Sequence, residues 1–288
     1  MRLLSPALIP AFLVAAGVLP HSLIAQEVVG RNDEVFTTSK MVGSGGTVRI
    51  YSMAGDVTIT EGTDGRVSYR GEKLLRRGRV DDVGFVVLSG ENGVTICAVY
   101  DDDDECTERG IRGARRRGGS WGGRASVRVS VEVPRGVLLR TSSGNGDVRV
   151  SAAVRELDAT SGNGDVTISR AAGPVRASSG NGDVSIATTN GPVTASTGNG
   201  DVDVQMDEAP AAGDMEFSSG NGRIVLNVPR DFDAEITAST GNGSIRTELP
   251  IRLQGSISPQ RMNGTLGSGG RRVRLSSGNG SIEIRSRG

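Results

Sequence analysis

The chain has 288 residues, of which 33 are basic and 33 acidic, so its formal net charge is zero. A neutral chain lacks the excess positive charge with which proteins hold nucleic acid or an anionic membrane surface, so neither partner is expected. Glycine accounts for 43 residues and aromatic side chains for only 3% of the chain. This composition is typical of a repetitive β structure whose core consists of small and branched aliphatic side chains.

Residues 1–25 have the features of a targeting segment. Arg2 supplies a positive end, residues 8–19 are mainly apolar, and residues 22–25 form a cleavage site that ends in alanine. The apolar run is too short to span a bilayer comfortably. We therefore expect a signal peptide over 1–25 and an exported mature chain without a transmembrane segment, located in the periplasm or at the cell surface.

Residues 26–46 are polar and predict a lead-in or cap. Residues 47–140 then show short stretches of alternating apolar and polar residues, the pattern of strands with one buried face. These stretches lie at 48–51, 56–60, 67–70, 85–88, 94–97 and 127–133. Because they have no fixed period, we interpret 47–140 as irregular β coils that lead into a regular part.

A repeat with a period of 18 residues organises the segment 141–204. The motif Ser/Thr-Gly-Asn-Gly-Asp-Val occurs four times, at Gly144, Gly162, Gly180 and Gly198. Weaker copies, Gly-Pro-Val, lie halfway between at Gly173 and Gly191, so an aliphatic residue recurs every nine residues. A fixed period with a turn and a short strand in each half predicts a solenoid.

Each half-repeat predicts a strand that buries one face. In residues 165–169, Val166 and Ile168 point to one side and the polar residues between them to the other. We predict stacked parallel coils of 18 residues whose buried residues include Val166, Ile168, Val175, Val184, Ile186 and Val193. The turns should use the left-handed backbone angles that asparagine and glycine tolerate, and the stacked asparagines should form a hydrogen-bonded ladder. A sandwich of independent Asn-Gly hairpins is the alternative.

Beyond residue 204 the spacing of the Asn-Gly pairs widens. The pairs begin at Asn221, Asn242, Asn263 and Asn279, which predicts broader coils of up to 22 residues. The final strand, 281–285, is expected at an open end, where its charged side chains would oppose aggregation. The predicted fold is therefore all-β, a single elongated β-solenoid similar to a parallel β-helix, built from 18–22-residue coils. The regular repeats occupy 141–288, and 47–288 is expected to form one continuous domain.

The two cysteines, Cys97 and Cys106, predict a disulfide, since two cysteines in an exported protein most simply pair. A reactive thiol or a metal site is the alternative.

The disulfide would fix the start of a loop, 101–124, that interrupts the strand patterns and is the candidate binding loop. Its candidate residues are Asp101, Asp102, Asp103, Asp104, Arg115, Arg116, Arg117 and Trp121. The acidic run could bind Ca²⁺, and the Arg-Trp run could bind anionic glycans or nucleic acid. The alternative is a solvated loop without a ligand, in which the acidic and basic halves neutralise each other.

Four aspartates follow the turns and should line up along one edge of the solenoid, about 4.8 Å apart. They are Asp147, Asp165, Asp183 and Asp201. One hypothesis is a weak, multivalent ladder for divalent cations that bridges the protein to anionic polymers. In the structural alternative each aspartate accepts backbone N–H groups within its own turn. The repeat departs from calcium-binding nonapeptides because Val166 occupies the metal-binding position, so no specific metal site is expected.

The single histidine, His21, lies in the predicted signal peptide. A mature chain without histidine cannot form a Ser-His-Asp triad or a histidine zinc site. Carboxylate chemistry of the glycosidase type needs no histidine, but no pair of carboxylates is marked out. We therefore expect no enzyme activity and no cofactor.

A family resemblance rests on three stretches. They are the copies of Ser/Thr-Gly-Asn-Gly-Asp/Ser-Val/Ile, the run at 131–137, and the closing segments 266–271 and 275–281. Together they resemble the bacterial putative-adhesin family of β-strand-repeat domains, a domain of unknown function, over about residues 40–287. The resemblance implies an exported β-solenoid with a role at the surface or in the envelope, and it implies no catalytic residues.

The expected function is an adhesin-like or scaffolding module of the cell envelope, with envelope polysaccharide or a surface protein as partner. The alternatives are a solenoid that binds or cleaves polysaccharide and an envelope regulatory protein that binds another protein.

Overall fold

The computed structural model describes residues 27–101, 103–113, 125–188, 191–209, 213–254 and 258–287. Two long sheets, made mostly of parallel strands, run the length of the molecule and enclose one continuous apolar core. Each coil contributes one strand to each sheet and is followed by the next coil. The predicted all-β solenoid is therefore confirmed, and the hairpin alternative is wrong for the repeats.

Strands are numbered in chain order, and each sheet is described from one edge to the other. The first sheet contains β5 (Gly84–Gly90), β6 (Gly93–Val99), β2 (Thr47–Ala54), β10 (Leu138–Asn145), β12 (Glu156–Asn163), β14 (Val175–Asn181), β16 (Val193–Asn199), β18 (Met215–Asn221), β24 (Arg271–Asn279), β20 (Ala234–Asn242), β23 (Arg261–Leu266) and β22 (Arg252–Leu253).

The second sheet contains β1 (Val35–Met41), β4 (Arg66–Leu75), β9 (Ala125–Val133), β3 (Val57–Glu61), β11 (Val148–Ser151), β13 (Val166–Arg170), β15 (Val184–Thr188), β17 (Val202–Met206), β19 (Ile224–Pro229), β25 (Ile282–Arg287) and β21 (Ile245–Thr247). A small hairpin of β7 (Glu105–Thr107) and β8 (Gly110–Arg112) and a 3₁₀ turn, Val80–Asp82, complete the described elements.

The regular repeats stack in register over the predicted segment, apart from one shift after Val150 where β11 pairs with β13. In the second sheet Val166 pairs with Val184, and Val184 with Val202, so identical positions lie one strand apart. In the first sheet Leu157 pairs with Val175 in the same way. The six residues expected in the core are each at most 3% exposed: Val166, Ile168, Val175, Val184, Ile186 and Val193. Burying each such side chain stabilises the fold by about 1.5–3 kcal/mol.

The turns depend on glycine because neighbouring coils touch there through their backbones. Gly182, the second glycine of its turn, has φ +149°. A Cβ atom on Gly182 would lie 2.3 Å from the carbonyl oxygen of Gly164 in the coil before it. A Cβ on Gly180 would lie 2.4 Å from the oxygen of Gly162. Both glycines of the motif are therefore required by the spacing of the coils.

The asparagine of the turn differs from the expectation. Among the residues that the structure describes, no residue other than glycine has a positive φ. Each motif asparagine, such as Asn163 or Asn181, ends a strand of the first sheet. The following glycine alone adopts the left-handed conformation, which leaves the asparagine side chain free to point along the stack.

At the C-terminal end the coils stack out of chain order. The last coil, β24 with β25, lies between the coil of β18 and β19 and the coil of β20 and β21. The expectation that residues 281–285 form an open edge is therefore wrong, since β25 has a partner on each side. The outer edge of β20 is covered instead by β23, which runs antiparallel to it.

One of the widely spaced Asn-Gly pairs is not a coil turn. Asn263 lies inside β23 and faces Thr237 of β20 across an antiparallel pair. The prediction of a coil turn at Asn263 is therefore wrong, because β23 pairs antiparallel with β20 and with β22 and covers the edge of the sheet. Leu249, Met262 and Leu266 are buried at this end of the core.

The N-terminal end repeats this arrangement. The coil of β2 and β3 lies between β10 and β11 on one side and the later strands β6 and β9 on the other. Antiparallel strands β5, β4 and β1 then close the two sheets. Phe36 stacks on Phe85 with ring centroids 4.7 Å apart, and Tyr69 meets Phe85 edge-on at 5.9 Å. These rings plug the end of the core.

A buried lysine fastens the first described residues to this cap. Lys73 is 6% exposed, and its Nζ donates to the carbonyl oxygens of Gly30, Arg31 and Val80 at 2.7–2.9 Å. Burial lowers the pKa of Lys73 to about 8. The three carbonyl groups supply the hydrogen bonds that a buried ammonium requires.

We expect Gly182→Ala to destabilise the protein by at least about 2 kcal/mol, because alanine at a left-handed position is strained and its Cβ would overlap the neighbouring backbone. Gly90→Ala is the control, since no atom lies within 4 Å of its Cβ position. Urea denaturation monitored by circular dichroism measures both changes. Equal stability of the two variants would show that the coils do not depend on backbone contact at the turns.

Candidate functional site

The stacked turns form one edge of the solenoid, which we call the turn edge. The Nδ2 of Asn163 donates to Oδ1 of Asn145 at 2.8 Å, and Asn181 donates to Asn163 at the same distance. The row continues at 2.7–2.8 Å through Asn199, Asn221, Asn279 and Asn242. The predicted asparagine ladder is therefore confirmed, and it follows the spatial order of the coils.

The first residue of the motif has a structural role that sequence reasoning missed. The hydroxyl of Ser161 is buried and donates to the carbonyl oxygen of Gly146 in the preceding turn at 2.8 Å. Ser179 makes the same bond to Gly164 at 2.8 Å. The equivalent side chains Ser143, Thr197, Ser219, Thr240 and Ser277 repeat it. The restriction of this position to serine or threonine in every copy was the available signal.

The aspartates also bind across coils. The backbone N–H of Asp183 donates to Oδ1 of Asp165 at 2.9 Å, and the N–H of Asp201 donates to Oδ1 of Asp183 at 2.8 Å. Asp147 in turn donates its N–H to Oδ1 of Asp56 at 3.0 Å, so the row begins one coil earlier than expected. Each bond joins two neighbouring coils, whereas the structural alternative placed it within one turn.

Two members of this aspartate row pair with arginine side chains. Arg149 pairs with Oδ2 of Asp147 at 2.6 Å, and Arg223 lies 3.6 Å from Oδ2 of Asp201. In the described part of the chain, no group of three or more Asp, Glu, Cys or His side chains lies close enough to hold a metal ion. Cation binding along Asp147, Asp165, Asp183 and Asp201 stays a prediction, and the observed bonds show what these carboxylates do within the fold.

The base of the candidate binding loop is fixed by covalent and hydrogen bonds. The structure contains the Cys97–Cys106 disulfide. Asp104 is buried, and its Oδ2 accepts the backbone N–H groups of Tyr100 at 2.8 Å and Asp101 at 3.0 Å. Cys106 lies in the small hairpin of β7 and β8 that follows. The candidate residues Asp102, Arg115, Arg116, Arg117 and Trp121 lie outside the described residues.

A groove on the outward face of the second sheet was not predicted. It measures about 650 Å³ and lies across β1, β4, β9 and β3. Its lining includes the hydroxyl side chains of six residues that alternate along the strands: Thr37, Ser39, Thr58, Thr60, Ser68 and Ser130. Arg70 and Glu132 supply the two charges, and strand pairing places both on the neighbouring strands β4 and β9. Because these four strands are not consecutive in the chain, no local motif marks the groove.

The outward face of the first sheet carries two regular rows. One row is hydroxyl, and within it Thr160 and Ser178 lie 3.2 Å apart. Register places its members one strand apart: Ser142, Thr160, Ser178, Ser196, Ser218, Ser276 and Ser239. The other row is largely charged: Arg49, Arg140, Asp158, Arg176, Thr194, Glu216, Arg274 and Thr237. This face therefore presents polar groups at a fixed spacing.

Comparison with known families decides the membership of the chain. The model of the Toastrack family, DUF4097, matches residues 129–285, just over half of the chain. The chain belongs to the Toastrack family. The predicted resemblance is thereby confirmed, because DUF4097 is a domain of unknown function. Solved structures are also similar to the chain.

Two of these structures are similar to the chain over most of its length. A "putative cell adhesion protein" from Clostridium sporogenes has 11% identity and a TM-score of 0.38, over 88% of this Toastrack chain and all of the other. A "putative adhesin" from Bacteroides fragilis has 12% identity and a TM-score of 0.35, over 88% of this chain and 97% of its own. No curated protein matches the chain.

Helices of sufficient length and apolarity to cross a bilayer do not occur among the described residues of this Toastrack protein.

Three carboxylates of the protein have lowered pKa values. The Ala153 N–H and Arg135 lower the pKa of Glu61, and Arg79 lowers that of Asp81. The backbone and side chain of Arg272 lower the pKa of Asp214. A general acid in glycoside hydrolysis requires the opposite shift, so these three carboxylates are unsuited to that role.

The aspartate row predicts different effects for two substitutions at one position. Asp183→Asn keeps an oxygen that accepts the Asp201 N–H and removes a charge between two like charges, so stability should be unchanged or rise by up to about 1 kcal/mol. Asp183→Ala leaves that N–H without its acceptor and should cost about 1 kcal/mol. Thermal melts of the three proteins give the order.

Thermal melts with and without millimolar Ca²⁺ test the cation hypothesis on the same row. If cations bind, Ca²⁺ should stabilise the wild type more than the Asp165→Asn/Asp183→Asn variant. An equal effect of Ca²⁺ on both proteins, or no effect on either, would refute a cation ladder.

The folded protein should contain no free thiol, because Cys97 and Cys106 are joined. Intact-mass measurement after alkylation without reduction checks this. Cys97→Ala/Cys106→Ala should lower the unfolding free energy by about 2–3 kcal/mol, the value expected for closing so short a loop. Two alkylated cysteines in folded protein would contradict the bond.

Proposed function

We propose that this Toastrack protein is an exported, non-enzymatic, adhesin-like or scaffolding module of the bacterial cell envelope. The predicted signal peptide over 1–25 supports export, and the resemblance of the repeat motifs to the putative-adhesin family supports an adhesin-like role. Its place of action is the periplasm or the cell surface.

The observation that carries this proposal is the pair of long sheet faces with regularly spaced polar side chains. In the first sheet, the hydroxyl row places one group on each successive strand, about 4.8 Å apart. A polymer with a repeating structure can contact several such groups at once. Many weak contacts on one rigid surface give an overall affinity far above that of any single contact. Such a surface suits adhesion and scaffolding.

The groove on the second sheet favours envelope polysaccharide as the partner. Its six hydroxyl groups can donate and accept hydrogen bonds, and Arg70 can hold a carboxylate or phosphate of an anionic sugar. The binding of polysaccharide is therefore the second candidate function. Cleavage is less well supported because glycoside hydrolysis uses a pair of carboxyl groups, and Glu132 is the one acidic side chain among the described residues that line the groove.

A glycan array with the purified mature protein tests the proposal. We expect binding to acidic bacterial polysaccharides and a loss of at least tenfold in affinity for Arg70→Gln, since one charge-assisted hydrogen bond contributes about 1.5–3 kcal/mol and about 1.4 kcal/mol corresponds to a factor of ten. The control is Arg79→Gln, which removes one exposed charge that belongs to neither long sheet.

Equal losses in both variants would place binding outside the groove. Binding to no glycan would contradict polysaccharide as the partner and favour a surface protein. Release of new reducing ends from a bound polysaccharide would contradict the non-enzymatic assignment.

A further inference from the structure

The last coil of the chain occupies a space that earlier coils leave open. We call β24 and β25 together, residues 271–287, the closing coil. Its place lies between the coil of β18 and β19 and the coil of β20 and β21, and we call this place the closing gap. The two coils that border the gap are both complete before the closing coil begins in the chain.

The closing coil is bonded on both sides of the gap. Its Asn279 donates to Asn221 and accepts from Asn242, each at 2.7 Å. The hydroxyl of Ser277 donates to Gly222 O at 2.9 Å. Strands β24 and β25 pair with β18 and β19 on one side and with β20 and β21 on the other. Without the closing coil, four strands would each have an unpaired edge facing the gap.

The gap selects for a coil with this turn motif. A Cβ at Gly280 would lie 2.0 Å from the carbonyl oxygen of Gly222, so the turn must contain glycine. Four aliphatic side chains of the closing coil are at most 1% exposed in the core: Val273, Leu275, Ile282 and Ile284. At the ends, Arg272 Nε lies 3.0 Å from Asp214 Oδ2, and Arg287 pairs with Asp207. A partner that satisfies all of these contacts is a second copy of the closing coil.

The link before the closing coil has unusual backbone freedom. Residues 267–270 connect β23, on one side of β20, to β24, on its other side. Three of these four residues are glycines, with φ +58° at Gly267, +79° at Gly269 and +103° at Gly270. Small changes in a few glycine dihedral angles can redirect the whole segment that follows. The fourth residue, Ser268, donates its backbone N–H to Asp233 Oδ1 at 2.7 Å, which ties the start of the link to the coil of β20.

We propose that the closing coil of one copy inserts into the closing gap of a second copy. Every contact of the closing coil is then preserved, because the two copies have the same sequence. Reciprocal exchange gives a closed dimer, and one-way exchange gives an open chain of molecules. The proposal concerns self-association and does not depend on polysaccharide binding.

Crosslinking between two singly substituted proteins tests the exchange. Ser218 and Ser276 lie opposite each other on β18 and β24, so Ser218→Cys in one copy can meet Ser276→Cys in another only after exchange. The two full-length proteins, with different tags, are unfolded together in urea with their native disulfide intact, refolded at low and high concentration, and mildly oxidised. We expect a crosslinked species that carries both tags and increases with concentration.

The matched control mixes Ser178→Cys with Ser196→Cys, an equivalent pair on β14 and β16 within the regular repeats. Exchange of the closing coil does not bring these two positions together, so no doubly tagged species is expected. The proposal would be overturned if circular dichroism showed that both proteins had refolded and the first mixture still contained no crosslinked species. Equal crosslinking in both mixtures would also overturn it, since contact would then be nonspecific.

Discussion

Backbone contact between successive turns is the constraint on which this solenoid depends. At each turn, a glycine of one coil lies against the carbonyl group of the equivalent glycine in the coil before it. No side chain, not even a methyl group, fits between them. The spacing of the coils at the turns therefore matches the spacing of the strands in the sheets.

This spacing also explains why the polar residues of the motif are so regular. When equivalent positions recur one strand apart, each hydroxyl, amide and carboxylate meets a partner on the next coil at hydrogen-bond distance. Ser179, Asn181 and Asp183 each use one such bond. The residues that give the sequence its most visible pattern thus stabilise the stack. In the proposed function, binding depends instead on side chains of the outward sheet faces, where Arg70 and the hydroxyl row lie.

Sequence reasoning predicted the central repeats because their information is local. The period, the alternation around Val166 and the Gly-Asn-Gly turn each require only a few neighbouring residues. The order of the coils at the C-terminal end could not be predicted in this way. The turn at Asn242 and the turn at Asn279 have the same sequence pattern, so either coil could stack on the coil of Asn221. The groove was missed for a related reason, since its strands come from distant parts of the chain. Asn263 lies within a strand, so an Asn-Gly pair alone does not identify a coil turn.

Both ends of the stack are locked by a coil placed out of chain order, whereas the middle is a simple succession. A duplication of 18 residues within 141–204 would add one coil and lengthen the molecule by about 4.8 Å. Neither cap would need to change, because each is built from its own strands. Gene duplication can therefore lengthen such a protein in small, equal steps while its two terminal structures are inherited unchanged.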